Sequence, residues 1–156
     1  IGSWGENVYI KIPITNTKGE TSYELIKKLS GKGMKLNVTA ILTTEQVENV
    51  AKCVDPGTPL IVSLFAGRIA DTGRDPIPYV KKSLELLKEN KNAELLWASS
   101  REVLNIIQAE QCGCQIITVT NDLIRKLAMV GKDLKELSLD TVKMFYNDAS
   151  SAGYSF

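Results

Sequence analysis

Five short apolar runs alternate with amphipathic segments along the chain, and that alternation leaves few folds open. The runs cover residues 8–12, 36–42, 60–65, 94–99 and 115–119. Between them, residues 22–31, 44–53, 76–89 and 101–112 carry apolar side chains at helical spacing. Two more helical segments follow, at 122–129 and 133–149, the second with Leu134, Leu137, Val142 and Phe145 on one stripe. Strand starts recur about every 20 to 34 residues, the period of a βα unit. Strands alternating with helices predict an α/β domain whose sheet is parallel and whose crossovers are right-handed. Periodicity alone leaves two architectures: an open five-stranded sheet, or five-eighths of a (β/α)8 TIM barrel. Thr43 or Thr44 is placed to cap the second helix, with Glu45 and Glu48 near its positive end, and Pro76 suits the first turn of the third.

One residue does not belong to its run. Lys11 stands alone in Val8-Tyr9-Ile10-Lys11-Ile12-Pro13-Ile14. Such a strand reads as buried on both faces under helices. An ammonium there loses hydration, so its pKa is expected to fall from a reference of roughly 10.4. A neutral amine in a dry pocket attacks carbonyls to form Schiff bases. The competing reading is a lysine that protects an edge strand, or an ordinary ion pair.

Composition removes other chemistries. The chain has no histidine, so no Ser-His-Asp or Cys-His couple and no histidine metal site can form within it. Cys53, Cys112 and Cys114 lack the spacing of a disulfide framework or a four-ligand zinc site, which points to reduced thiols in the cytoplasm and no metal. With 19 basic and 18 acidic residues the net charge is +1, and nothing in it favours nucleic acid or an acidic membrane as partner. No apolar stretch approaches the roughly 20 residues that span a bilayer.

Polar residues recur on the strands. Residues two apart share a face, which pairs Lys11 with Tyr9 and Pro13, groups Asn37, Thr39 and Ile41, pairs Ser63 with Phe65, and groups Trp97, Ser99 and Arg101. Taken singly, each hydroxyl or amide reads as a satisfied core group or helix cap; together they suit a barrel lined toward its C-terminal mouth. Arg68 and Arg101 each follow a strand, where βα loops bind ligands, and each guanidinium suits a pair of phosphate oxygens. Ser99 and nearby helix-start amides would complete a phosphate cradle.

These residues resemble a known family, the transaldolases, with their small-subunit branch and the fructose-6-phosphate aldolases. The resemblance rests on four motifs, matched in order and spacing over essentially the whole chain. They are Asn7-Val8-Tyr9-Ile10-Lys11-Ile12-Pro13-Ile14-Thr15, Leu36-Asn37-Val38-Thr39-Ala40, Phe65-Ala66-Gly67-Arg68-Ile69-Ala70-Asp71-Thr72-Gly73 and Ala98-Ser99-Ser100-Arg101. It implies a (β/α)8 barrel of which residues 1–156 form one domain holding the last five strands and their helices, with a docking helix at about 133–149. It implies a class I aldolase without metal or cofactor. A dihydroxyacetone unit would pass from sedoheptulose 7-phosphate or fructose 6-phosphate to an aldose phosphate, as in the pentose phosphate pathway. Lys11 would form the Schiff base, and Thr39 would hold the proton-carrying water. Asn37 and Ser63 would bind the hydroxyls of the three-carbon unit, and Arg68, Ser99 and Arg101 the phosphate. Phe65 stands where fructose-6-phosphate aldolases carry Tyr, which favours transfer over cleavage. Relatives of this kind form homo-oligomeric rings, pentamers or decamers.

The sequence departs from the family's pattern in lacking three strands ahead of the lysine strand, which supply an acid–base aspartate and a Glu or Gln. It is thus expected to be a remainder of a chain of about 220 residues, or a truncated relative. Ala70 is a lesser departure, at a position where many relatives carry an acid. Two other readings stay open: a fructose-6-phosphate-aldolase-like lyase, and a non-catalytic sugar-phosphate binder.

Overall fold

The computed structural model describes residues 4–154, so the outermost ends of the expected 1–156 domain lie outside the described residues. Five strands form one sheet in the order β1-β2-β3-β4-β5: β1 (Ile10–Pro13), β2 (Leu36–Ile41), β3 (Leu60–Leu64), β4 (Ala93–Trp97) and β5 (Ile116–Ile117). All neighbours pair in parallel. The helices are α1 (Tyr23–Ser30), α2 (Thr44–Cys53), α3 (Ala66–Asp71), α4 (Ile77–Leu87), α5 (Leu104–Cys112), α6 (Asn121–Lys126) and α7 (Leu134–Ser151), with a 3-10 turn at Leu127–Met129.

Strand order decides between the two architectures. A doubly wound sheet reverses its order at a switch point and covers both faces. Here the order is strictly sequential, which with crossovers of one hand puts the helices that connect the strands on one face. The fold is the wall of a (β/α)8-type barrel, not closed among the described residues.

The core sits between that wall and its helices. Ile12, Leu36, Val38, Leu60, Val62, Leu64, Leu95 and Trp97 point to the helix side and pack with Ile26 of α1, Val47 and Val50 of α2, and Val80 and Leu87 of α4. Fully burying each such aliphatic side chain contributes about 1.5–3 kcal/mol. That outweighs the about 1 kcal/mol of the capping box at α2, where the Thr43 hydroxyl accepts from Gln46 N–H at 3.1 Å.

The other sheet face is not uniformly covered, and this corrects the expectation for the first strand. β1 is an edge strand buried on one side only: Ile12 is buried while Lys11 and Pro13 are exposed. An edge position also tolerates the missing N–H of Pro13. In the centre of the sheet the same face is dry, with Ser63, Leu96 and Ala98 buried.

A second correction concerns β2. Asn37 and Thr39 share the face of Lys11, but Ile41 does not. The pairing with β3 shifts register between Val38 and Ile41, and Ala40 takes φ 62°. This bulge gives β2 one extra residue, so Ile41 turns back into the core opposite Leu64. Likewise Trp97 lies on the helix side, fully buried, whereas Ser99 follows the strand with φ 64°. The two do not share a face, because a left-handed residue ends the alternation.

α3 was not expected from the sequence, because its six residues are too few to show a period. α7 buries none of its residues; Leu134, Val142 and Phe145 are exposed and Leu137 is half-buried. Among the described residues no helix is long and apolar enough to cross a membrane.

A left-handed alanine is strained by about 1–2 kcal/mol, only partly offset by the extra chain entropy glycine would lose. Ala40→Gly is therefore expected to raise stability by up to about 1 kcal/mol in urea denaturation, with an unchanged slope.

Candidate active site

The sheet brings the polar strand residues together in a row. Lys11 lies opposite Asn37 on the neighbouring strand, and Pro13 opposite Thr39. Asn37 in turn meets β3, where the Ser63 hydroxyl donates to the Asn37 side-chain oxygen at 2.7 Å. Ser63 is buried and Asn37 half-buried. Thr39 is unlike its neighbours. Its hydroxyl oxygen is buried and makes no hydrogen bond to the described residues. A buried hydroxyl left unpaired costs about 1–3 kcal/mol.

The amine itself is the departure from expectation. Lys11 is exposed, and no ion pair involves it among the described residues. Its surroundings are wet because β1 is an edge and nothing described covers its outer face.

Beyond the C-terminal ends of β3 and β4, two loops are locked together by their backbones. Gly67 N–H donates to the Ala98 carbonyl at 3.2 Å. A Cβ on Gly67 would sit 1.5 Å from the Ser99 carbonyl oxygen. Only glycine allows α3 to start against that chain segment. The contact holds the Phe65–Arg68 turn against Ser99, so the Phe-x-Gly-Arg and Ala-Ser-x-Arg motifs form one structural unit.

Each arginine of that unit has its own brace. The Arg68 guanidinium lies over the Phe65 ring, 5.6 Å from its centroid. Arg101 instead pairs with Asp71: its Nε donates to one carboxylate oxygen at 3.1 Å and an Nη2 hydrogen goes to the other. The hydrogen bonds to Asp71, and then its charge, hold the Arg101 proton more firmly than usual. The Arg101 backbone is fixed by buried Asn105, whose side-chain oxygen accepts from Arg101 N–H at 2.8 Å and Glu102 N–H at 3.2 Å. Ser100 donates to the Thr118 carbonyl at 2.7 Å, tying the same loop to the chain after β5.

Asp71 and Asn105 were not singled out from sequence. Asp71 follows Arg68 by three residues, a helical spacing, but that signal exists only once α3 is known. Cys53, Cys112 and Cys114 are free thiols, each pushed up in pKa chiefly by burial. Among the described residues no cluster of His, Cys, Asp or Glu could hold a metal ion.

A sequential parallel wall, with polar groups on its open face and two arginines past the strand ends, defines a protein of the α/β-barrel class, in which ligands meet the C-terminal ends of strands. Residues 1–155 match the family model described as Transaldolase/Fructose-6-phosphate aldolase, and the chain belongs to that family. It is similar to the probable transaldolase 2 of Listeria monocytogenes, at 31% identity over 81% of this chain and 55% of that protein. The probable transaldolases of Clostridioides difficile and Herpetosiphon aurantiacus share 28% and 25%, over 93% and 100% of this chain and 63% and 66% of theirs. The chain thus spans little more than half the length of the first of these relatives and about two thirds of the last.

Gly67→Ala is expected to cost at least about 3 kcal/mol, in the range of severe backbone clashes. Should it unfold at the wild-type urea midpoint, the close approach to Ser99 is not a constraint.

Proposed function

We propose that the chain carries the Schiff-base machinery of a transaldolase. The observation that supports this best is the run Lys11, Asn37, Ser63 across three adjacent strands, with the unpaired Thr39 hydroxyl beside it. The Lys11 amine adds to the C2 carbonyl of sedoheptulose 7-phosphate or fructose 6-phosphate, and loss of water leaves an iminium. When the C4 hydroxyl gives up its proton, the C3–C4 bonding pair flows into the iminium. An aldose phosphate leaves, and the three-carbon unit stays as an enamine. That enamine attacks the aldehyde of an acceptor aldose phosphate, whose oxygen takes up a proton, and hydrolysis frees Lys11. Thr39 holds the water that moves the protons. Asn37, its oxygen engaged by Ser63, offers its NH2 to a substrate hydroxyl. Arg68, Ser99 and Arg101 take the phosphate, whose binding energy aligns the carbonyl with the amine. No cofactor or metal takes part in this scheme.

Phe65 cannot supply a phenol to help water quench the enamine, which favours transfer over a fructose-6-phosphate-aldolase-like cleavage. The second reading, a catalytically incomplete sugar-phosphate binder, is favoured by one observation: Lys11 is exposed on an edge strand. The free thiols fit a cytoplasmic setting. The exposed apolar residues of α7 fit docking against another copy in a homo-oligomeric ring of five or ten.

Incubation with fructose 6-phosphate, borohydride reduction and peptide mass mapping test the reading. Mass added at Lys11, and lost in Lys11→Ala with folding intact, is the expected result. No adduct, or one on another lysine, overturns the assignment. Product analysis with and without erythrose 4-phosphate then separates transfer from cleavage. Arg68→Ala and Arg101→Ala should each weaken phosphorylated sugars about 10- to 100-fold, the range for a lost charged hydrogen bond. Affinity for dihydroxyacetone should change little; an equal loss on both would remove the arginines from the phosphate site.

A further inference from the structure

α3 does more than carry Arg68. It turns the chain so that Asp71, three residues on and one helical turn away, comes out on the side of Arg68. From there its carboxylate takes Arg101, a residue 30 positions later on another loop. We propose that Asp71 is a positioning residue that sets how the Arg101 guanidinium is presented to the substrate's phosphate. This rests on the reading of Arg68 and Arg101 as the phosphate-binding pair.

The geometry of the pair carries the argument. Asp71 uses the Nε–Nη2 edge of the guanidinium, one oxygen on each nitrogen. Guanidinium is planar with five N–H donors, so this grip fixes the plane and leaves the Nη1 hydrogens to a ligand. Without it Arg101 would be a long, half-exposed side chain with most of its rotamers open. The backbone under Arg101 is already fixed by Asn105 and by the Gly67 contact with Ser99, so Asp71 orders the last free part. Arg68 has its own support in the Phe65 ring. One short helix thereby holds one arginine and hooks the other, which sets the spacing of the two cations.

Asp71 also carries a charge that opposes an incoming anion. Both partners are about half exposed, so this opposition is screened by water and salt. Ordering outweighs it, and the balance has a signature. Removing the carboxylate should weaken phosphate at any ionic strength. If opposition dominated, the same change would tighten it, most of all at low salt.

Two measurements keep this separate from the aldol reading. Inorganic phosphate is titrated against wild type, Asp71→Ala, Asp71→Asn, Asp71→Glu, Arg101→Ala and the Asp71→Ala/Arg101→Ala pair, at low and high salt. Asp71→Ala should weaken phosphate by about 5- to 10-fold, a coupling of the size neighbouring residues show, and should add nothing in the Arg101→Ala background. Asp71→Glu should recover part of the loss, and Asp71→Asn less. In parallel, borohydride trapping with fructose 6-phosphate and with dihydroxyacetone reads the amine: Asp71→Ala should raise the half-saturating concentration for the former only. If wild type traps no adduct while phosphate affinity still depends on Asp71, the aldol reading falls and the positioning role stands. Tighter phosphate in Asp71→Ala, or a loss that adds to that of Arg101→Ala, overturns the positioning role.

Discussion

Period-two alternation across a parallel sheet is the constraint from which the other features follow. One set of side chains, from Ile12 and Val38 through Val62 to Leu95 and Trp97, is committed to the helices. The intervening set is then free to be polar, and Lys11, Asn37, Thr39 and Ser63 fall in it. Strict alternation would have put Ile41 among them. The left-handed Ala40 prevents this by adding one residue to β2 just after Thr39. The chain accepts local strain there to keep an apolar group in the core and to end the polar row at the threonine.

A second constraint acts past the strand ends, where side-chain period no longer applies. The β3 and β4 loops are positioned by backbone contact at Gly67, whose missing Cβ lets Ser99 approach. Ser99 in turn adopts a positive φ. Both features are backbone geometry, and Arg68 and Arg101 stand on the loops so joined. Strained or glycine-dependent backbone of this kind concentrates where ligands are held.

How much of this was legible in the sequence varies with the length over which each signal repeats. α2 was predicted at its observed bounds, Thr44–Cys53, because a threonine cap and ten amphipathic residues agree. The five strands were each found, with ends displaced by at most two residues, since fraying ends carry no period. α3 was not legible: six residues with a glycine at the second position resemble any loop. With it went the role of Asp71. The face of Ile41 was misread because a bulge leaves no mark in composition, and Lys11 was read as buried because edge and central strands share the same apolar pattern. The resemblance of four separate motifs to one family supplied what periodicity could not, and the family match over residues 1–155 agrees with it.

The exposure of Lys11 and the dryness of Ser63 set a condition on any chemistry at this wall. Both lie on one face, yet the buried end of the row is at the centre of the sheet and the amine is at its edge. Burial on that face falls from Ser63 through half-buried Asn37 to exposed Lys11, toward the end of the wall. An amine that adds to a carbonyl must shed its proton and its water, and a solvated edge opposes both. A complete eight-stranded barrel would give Lys11 a neighbour on each side and place it in the environment Ser63 already has. Cover on the inner wall beyond β1 would therefore favour the Schiff-base chemistry proposed for Lys11, whereas the braces on Arg68 and Arg101 at the β3 and β4 loops are already in place. The two halves of the proposed site depend on different parts of the barrel, and the arginine half is held together within these five strands.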